Sequence, residues 1–285
     1  MATNERPSKT RRATPLAALS ATARLAGASA RAAPMRAYLR AYVLHQHDWS
    51  ESSLIVELFT RTQGRIAVAA KGAKRPTSNF RAVLLHFQPL LISLGKAPAD
   101  EQAEISNLRS AEWAGGQALL GAAAMFSGFY ANELLLKLLA RQDPHPVLFD
   151  VYADTLAALA EGSDEGAALR AFELMLLREL GWLPELNTAT LTAQALQADG
   201  RYTLKPEAGV IAHADGLAGC TWVALEAALV HRGQGGGLAA LRAACVPVAA
   251  ALRGPLRTLL HYHLGSAPLR TREVWQGVQR LVDTR

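Results

Sequence analysis

Ser53-Leu54-Ile55-Val56-Glu57-Leu58-Phe59-Thr60 runs into Arg61-Thr62-Gln63-Gly64 and then into Arg65-Ile66-Ala67-Val68-Ala69-Ala70-Lys71. Two runs rich in strand formers, joined by a short polar turn ending in glycine, read as a β-hairpin. Gly64 can take the positive φ that such a turn needs. Upstream, Ala37 to His45 alternates loosely and is another strand candidate. Downstream, a loop from Gly72 to Asn79 precedes two more candidates, Phe87 to Leu94 and Glu104 to Leu108.

Five short strands within residues 35–110 predict a small closed barrel, and the five-stranded OB-fold is the candidate. Such barrels hold single strands by laying the backbone along a basic groove and stacking bases on aromatic rings. The loop chemistry suits that use. Lys71-Gly72-Ala73-Lys74-Arg75-Pro76 gathers three cations around a glycine, and Arg81 follows. Arg61 and Arg65 flank the hairpin turn, and Arg40 lies on the first strand candidate. Tyr38, Tyr42, Trp49, Phe59, Phe80 and Phe87 are the available aromatics, most of them at core-like strand positions. Phe80, inside the basic loop, is the best stacking candidate.

After Trp113 the period changes. Apolar residues at 125, 126, 129, 130, 134 and 138 have helical spacing. Asp143-Pro144-His145-Pro146 ends that helix, Val147 to Leu159 forms the next, and Glu165 to Leu180 a third closed by Gly181. Residues 187–219 are irregular, with a hairpin around Tyr202-Thr203-Leu204 and Val210-Ile211-Ala212. Trp222 to His231, Leu238 to Ala244, Pro247 to Leu264 and Thr271 to Val282 read as further helices. The class is α+β, with a β-barrel first and a mainly helical domain over 113–285.

Catalytic signals are poor. Gly233 to Gly237 is glycine-rich but lacks the Lys-Ser/Thr of a phosphate loop and reads as a linker. His261 and His263 stand two apart on a helix and face different ways, while His45 and His47 share a strand face. Cys220 and Cys245 are the two cysteines of the chain, which excludes a disulfide framework and a four-cysteine zinc site. No catalytic constellation emerges, so a hydrolase has nothing behind it.

The charge is unevenly spread over the 285 residues. Residues 1–34 carry +5, residues 35–96 carry +6 and residues 97–285 carry −5. A basic end joined to an acidic remainder points to a polyanion partner for the basic end. Residues 1–34 have no aromatic residue or useful apolar stripe, and read as a disordered basic extension. That extension has three readings: a transit peptide, a phosphate-binding arm, or a simple extension with Met35 as the true start. The longest charge-free run, Trp113 to Asn132, is broken by polar residues and glycines and does not read as a membrane span.

Several blocks together resemble the RecO family. They are Ala41 to His45, Trp49 to Leu54, Leu58-Phe59-Thr60 with Gly64-Arg65, Ala70 to Arg75, and Phe87 to Leu91. Further blocks are Phe129 to Leu135, Ala168 to Leu174, and Leu264-Gly265 with Leu269 to Glu273. They keep the family's order from about residue 36 to 275.

The resemblance implies a bacterial mediator of RecF-pathway recombination, cytoplasmic and associated with the nucleoid. The implied protein binds single- and double-stranded DNA, anneals complementary strands, and with RecR helps RecA load onto DNA coated by single-stranded-DNA-binding protein (SSB). On this reading the DNA-binding residues are Arg40, Arg61, Arg65, Lys71, Lys74, Arg75, Phe80 and Arg81. The resemblance also implies that the helical domain holds the acidic C-terminal tail of SSB. Arg170, in the matching Leu-Arg-x-Phe motif, is the candidate cation, with Arg178 and Arg253 as further candidates. The competing reading of Arg170 is a surface ion pair with Glu173. Many members carry four zinc cysteines in the insert. Here residues 187–219 contain none, so the expected state is a bare hairpin without cofactor. The alternative function is an OB-fold scaffold for RNA or protein, without annealing activity.

Overall fold

The computed structural model describes residues 38–95, 105–116, 118–233, 238–265, 269–271 and 274. The basic extension over 1–34, the glycines at 235–237 and most of the helix expected from Thr271 to Val282 lie outside these residues.

The hairpin forms as its sequence predicts. Strand β2, Leu54–Thr60, pairs antiparallel with β3, Gly64–Ala70, from Leu54↔Ala70 to Thr60↔Gly64. Gly64 has φ +65°, and a Cβ there would stand 1.9 Å from the carbonyl oxygen of Asp143. The turn needs glycine twice, for its backbone conformation and for the segment packed against it. Strand β1, Leu39–Asp48, runs along β2 and meets β4, Leu90–Leu94, at its start. Its register shifts between Val43 and His45, a bulge that bends the strand across two partners. Strand β5, Ile105–Trp113, pairs with β4 and lies parallel to β3. The closed order β1-β2-β3-β5-β4 is that of a five-stranded OB-type barrel. Helix α1, Asn79–Val83, sits in the loop between β3 and β4.

The helices follow the periodic segments: α2 (Ala122–Leu138), α3 (Pro146–Ala160) and α4 (Glu165–Glu179). Pro146 opens α3 where its missing N–H costs nothing, and the Asp164 carboxylate caps α4 by accepting from the Ala167 N–H at 2.8 Å. Five short strands follow: β6 (Thr188–Ala189), β7 (Gln194–Ala195), β8 (Arg201–Lys205), β9 (Gly209–Ala212) and β10 (Leu217–Ala218). They form a two-stranded ribbon and a three-stranded sheet ordered β10-β8-β9. Helices α5 (Gly219–Gly233), α6 (Ala239–Cys245) and α7 (Ala249–Leu264) follow. Ala239–Leu264 passes for a membrane span by length and mean hydropathy. It is broken by the 3₁₀ turn Val246–Val248, and it seats Leu241, Cys245, Leu252, Leu256, Leu259 and Leu260 in the protein core.

The barrel has its own interior, built from Val43, Val56, Leu58, Val68, Leu90 and Ile92 among others. Its outer wall is not free. Tyr42, Leu44, Phe59 and Phe87 belong to the core of the helical region, beside Phe149, Tyr152 and Phe172. Phe87 fits over Gly128 of α2, where a Cβ would come within 2.8 Å of the ring. A glycine inside a helix costs about 1 kcal/mol against alanine, and here it makes room for an aromatic side chain. Asn132 of α2 donates to the carbonyls of Val43 and Leu44 at the β1 bulge and accepts from the Tyr152 hydroxyl. Barrel and helices accordingly fall in one compact unit that begins at Ala37.

A second cap links distant segments. The Glu133 carboxylate accepts from the backbone N–H groups of Arg270 and Thr271, at 2.8 and 3.0 Å, and from the Thr271 hydroxyl at 2.7 Å. The insert is held by packing and hydrogen bonds. Tyr202, Leu204 and Val210 join the main core, and the Trp222 indole donates to the Tyr202 carbonyl at 3.1 Å. The Val210 N–H donates to the Thr190 hydroxyl oxygen at 2.8 Å.

Candidate nucleic-acid interface and helical cavity

The barrel cations fall into two groups. Arg40 shares the outward face of β1 with Tyr42 and Leu44, which turns it toward the helices, although it is exposed. Arg61 forms a two-pronged pair with Asp150 of α3, both contacts 3.0 Å, with 42% of its side chain still accessible. Arg65 donates to the Leu139 carbonyl and, at 3.1 Å, to Glu57. Glu57 is 4% exposed and also binds Arg141. Arg61 and Arg65 are therefore committed to the seam between barrel and helices. An expected groove that lines them up with the loop cations does not form.

The other group faces away from the seam. Lys71 and Arg75 are exposed on the loop after β3, and Arg81 is exposed on α1. Lys74 reaches the β1–β2 loop, binding Asp48 at 2.7 Å and the Ser50 carbonyl at 3.0 Å. The Lys74 N–H donates to the Ser52 carbonyl and the Gly72 N–H to the Ser53 hydroxyl, which joins the two loops. A cleft of about 460 Å³ opens between them, lined by Gln46, Asp48, Leu54, Lys74, Phe80 and Arg81. Phe80 is half-buried against the barrel interior, which removes much of its ring from use as a stacking platform. Trp49 is the better one. It is 57% exposed on the loop that Lys74 holds. Its neighbours Asp48 and Glu51 are acidic, so proximity to basic residues ranks Phe80 ahead of it in the sequence.

Two histidines near the barrel lose basicity. The His45 and His47 rings lie 4.4 Å apart. Burial and the neighbouring His47 lower the pKa of His45, and burial beside Phe129 takes His86 down to about 4.

The second feature is a cavity of about 600 Å³ between α2, α4, α7 and the segment at Leu269. Phe126, Leu169, Ala249 and Ala250 give it apolar walls, and Arg170, Arg253 and Arg257 give it positive charge. Arg170 is 7% exposed, and its guanidinium binds Glu173 at 2.5 Å. The pair with Glu173 exists, but buried at a cavity wall rather than on a solvated surface. Arg178 lies elsewhere. It clamps Glu226 of α5 at 2.6 Å and donates to the Pro184 carbonyl, and it is not part of the cavity wall. Arg257 and His261 also line the cavity, although the sequence marked neither for a ligand and placed His261 only opposite His263. Their signal is present: residues 227–272 contain no Asp or Glu, and Arg253, Arg257 and His261 are spaced four apart on one helix face. His263, by contrast, stacks on Trp182 at 4.1 Å, so the two histidines of α7 do face different ways.

This architecture coincides with two family models placed end to end. One described as Recombination protein O N terminal matches residues 35–116, and one described as Recombination protein O C terminal matches 122–273. The chain belongs to the RecO family. The boundary between the two RecO models falls where β5 gives way to α2. The chain is 51% identical over 253 residues to the DNA repair protein RecO of Variovorax paradoxus (strain S110), covering 85% of this chain and 96% of that protein. It is 49% identical over 247 residues to the DNA repair protein RecO of Polaromonas sp. (strain JS666 / ATCC BAA-500), with 85% and 96% covered. A role in DNA repair follows from membership. The RecO-like blocks also acquire physical content, because Asn132-Glu133 meets both the β1 bulge and the Arg270-Thr271 segment.

The insert offers no thiolate set for a zinc ion. Residues 187–219 hold no cysteine, and Cys220 is exposed at the start of α5. Cys245 is buried near Arg170 and Glu173, and burial pushes its thiol up to about 12.

Proposed function

We propose that this protein is a DNA-binding recombination mediator that works by binding and positioning, without covalent chemistry. The observation that supports this most is the set of Lys71, Lys74, Arg75 and Arg81 on one open face of the barrel, with Trp49 beside them. Cations at that density displace counterions from phosphates, and they lower the repulsion between two strands brought together. A single strand lies along the loop face with a base on Trp49, and a duplex binds through phosphates alone. Pairing of complementary strands on this face is the annealing step.

The helical cavity takes the acidic C-terminal tail of SSB, with its terminal carboxylate toward Arg170 and its acidic side chains toward Arg253 and Arg257. The apolar wall suits a hydrophobic last residue. RecR and, through it, RecA complete the loading of recombinase onto SSB-coated DNA. The insert keeps its fold without zinc. The test is pairing of two complementary oligonucleotides coated with SSB, followed by fluorescence. The protein should accelerate pairing, and a version with Lys71, Lys74 and Arg75 changed to Glu should not. Equal pairing rates with and without the protein would exclude a mediator.

A further inference from the structure

The helical cavity presents a difficulty for the ligand just assigned to it. Its deepest cation, Arg170, is already bound to a carboxylate of the protein itself. Glu173 is 1% exposed and holds Arg170 at 2.5 Å. An arriving carboxylate meets a neutral pair rather than a positive charge. Building on the cavity reading above, we infer that an anionic end group enters this cavity together with one proton from solvent, taken up by Glu173.

The geometry supports a switchable pair held through a single oxygen. The Oε1 atom of Glu173 carries both contacts, accepting from Arg170 and from the Tyr130 hydroxyl at 2.7 Å. Its Oε2 atom and the Nε of Arg170 are buried and have no hydrogen-bond partner among the described residues. A buried donor and a buried acceptor left unpaired each carry a desolvation cost. Protonation at Oε2 turns an unused acceptor into a donor and frees Arg170 to bind an outside carboxylate. Both residues belong to the cavity wall.

The surroundings make the Glu173 carboxylate easier to protonate than one in water while it still pairs with Arg170. Burial raises the pKa of Glu173, and the Arg170 charge with the Tyr130 hydrogen bond offsets this only in part. The groups facing it are Tyr130 from α2, Arg170 from its own helix, Cys245 from α6 and Arg253 from α7. Arg257, His261 and Glu165 stand farther round the cavity. Adding an external carboxylate puts a second negative charge beside Glu173, which drives proton uptake further.

The experiment uses the whole protein and a short fluorescein-labelled acidic peptide ending in phenylalanine with a free carboxylate. Titration calorimetry at about pH 8, in buffers of different ionisation enthalpy, should show uptake approaching one proton per peptide bound. Affinity should weaken as pH rises, by up to about tenfold per unit. Glu173→Gln, which keeps the shape and loses the charge, should bind more tightly than wild type at that pH and show a flat profile. His261→Gln should keep the slope. Peptide binding to wild type without proton uptake overturns this inference and leaves the cavity assignment standing. So does a slope that survives in Glu173→Gln but vanishes in His261→Gln. Failure of the peptide to bind at any pH overturns the cavity assignment and this inference with it.

Discussion

Two sides of one barrel carry arginines and lysines, and they use them differently. Toward the helices, Arg61 meets Asp150, Arg65 meets Glu57, and the aromatics Tyr42, Phe59 and Phe87 lie in the helical core. Toward the loops, Lys71, Arg75 and Arg81 are exposed, and Lys74 is half-exposed across two loops. The same residue types thus serve as structural fasteners on one side and as an open electrostatic surface on the other. What separates them is where the partner carboxylate sits: Glu57 and Asp150 hold their arginines at the seam, whereas on the loop side Lys74 meets only the exposed Asp48. Where α3 or β2 supplies one, the cation is used within the protein.

The sharpest way to break this contrast is at Glu57. Glu57→Leu leaves Arg65 and Arg141 without their shared carboxylate in a mostly buried place. It should cost about 3–5 kcal/mol in urea unfolding, while DNA affinity of the folded fraction stays the same. On the loop side the reverse should hold. Changing Lys71, Lys74 and Arg75 to Glu should lower single-strand affinity by at least about 100-fold near 50 mM salt and flatten the salt slope by about 2. Unfolding free energy should move by no more than about 0.5 kcal/mol per site. Unchanged DNA affinity in that variant would place the interface elsewhere on the molecule.

Glu133 tests the helical side by pH. Burial alone raises its pKa, but hydrogen bonds from Thr271 and Arg270 and from Lys137 outweigh it, and the net shift is downward. The carboxylate is favoured in the folded state, so its contribution is present above the unfolded pKa and fades as pH falls through the folded one. Glu133→Gln should lose about 1–2 kcal/mol at neutral pH, and the gap to wild type should close as pH falls through the lowered pKa of the folded carboxyl. Arg61→Ala should be milder still. Its pair is exposed, so the loss should be under about 1 kcal/mol, with DNA affinity unchanged by gel shift. Last, overnight treatment with a zinc chelator should leave the melting temperature where it was.

The barrel was legible because its strands are short, turn-bounded and rich in β-branched residues, and the Gly64 turn appears as expected. The helices were legible by period. The seam was not. Nothing in a linear pattern says that Arg61 will find Asp150 or that Phe87 will leave its own barrel for Gly128, since both depend on how two elements far apart in sequence dock. The end of the barrel was also blurred. Strand β5 continues to Trp113, past the expected limit at 110, because its second half pairs with β4 up to Leu90↔Trp113. For the cavity, Arg170 came from the Leu-Arg-x-Phe match, whereas Arg178 and Arg253 were both chosen by charge alone; Arg253 lies on the cavity wall and Arg178 is a clamp on α5.

Phe87 resting on Gly128 has a thermodynamic consequence. A side chain that begins in one fold and is buried in another makes the two melt together. The barrel cut away from its helices would show Tyr42, Leu44, Phe59 and Phe87 to water, a sticky patch with no covering. A gain or loss of order on the helical side must therefore be felt by strands β1 and β3, from whose ends the loops of Trp49 and Lys74 extend, through contact rather than through any hinge.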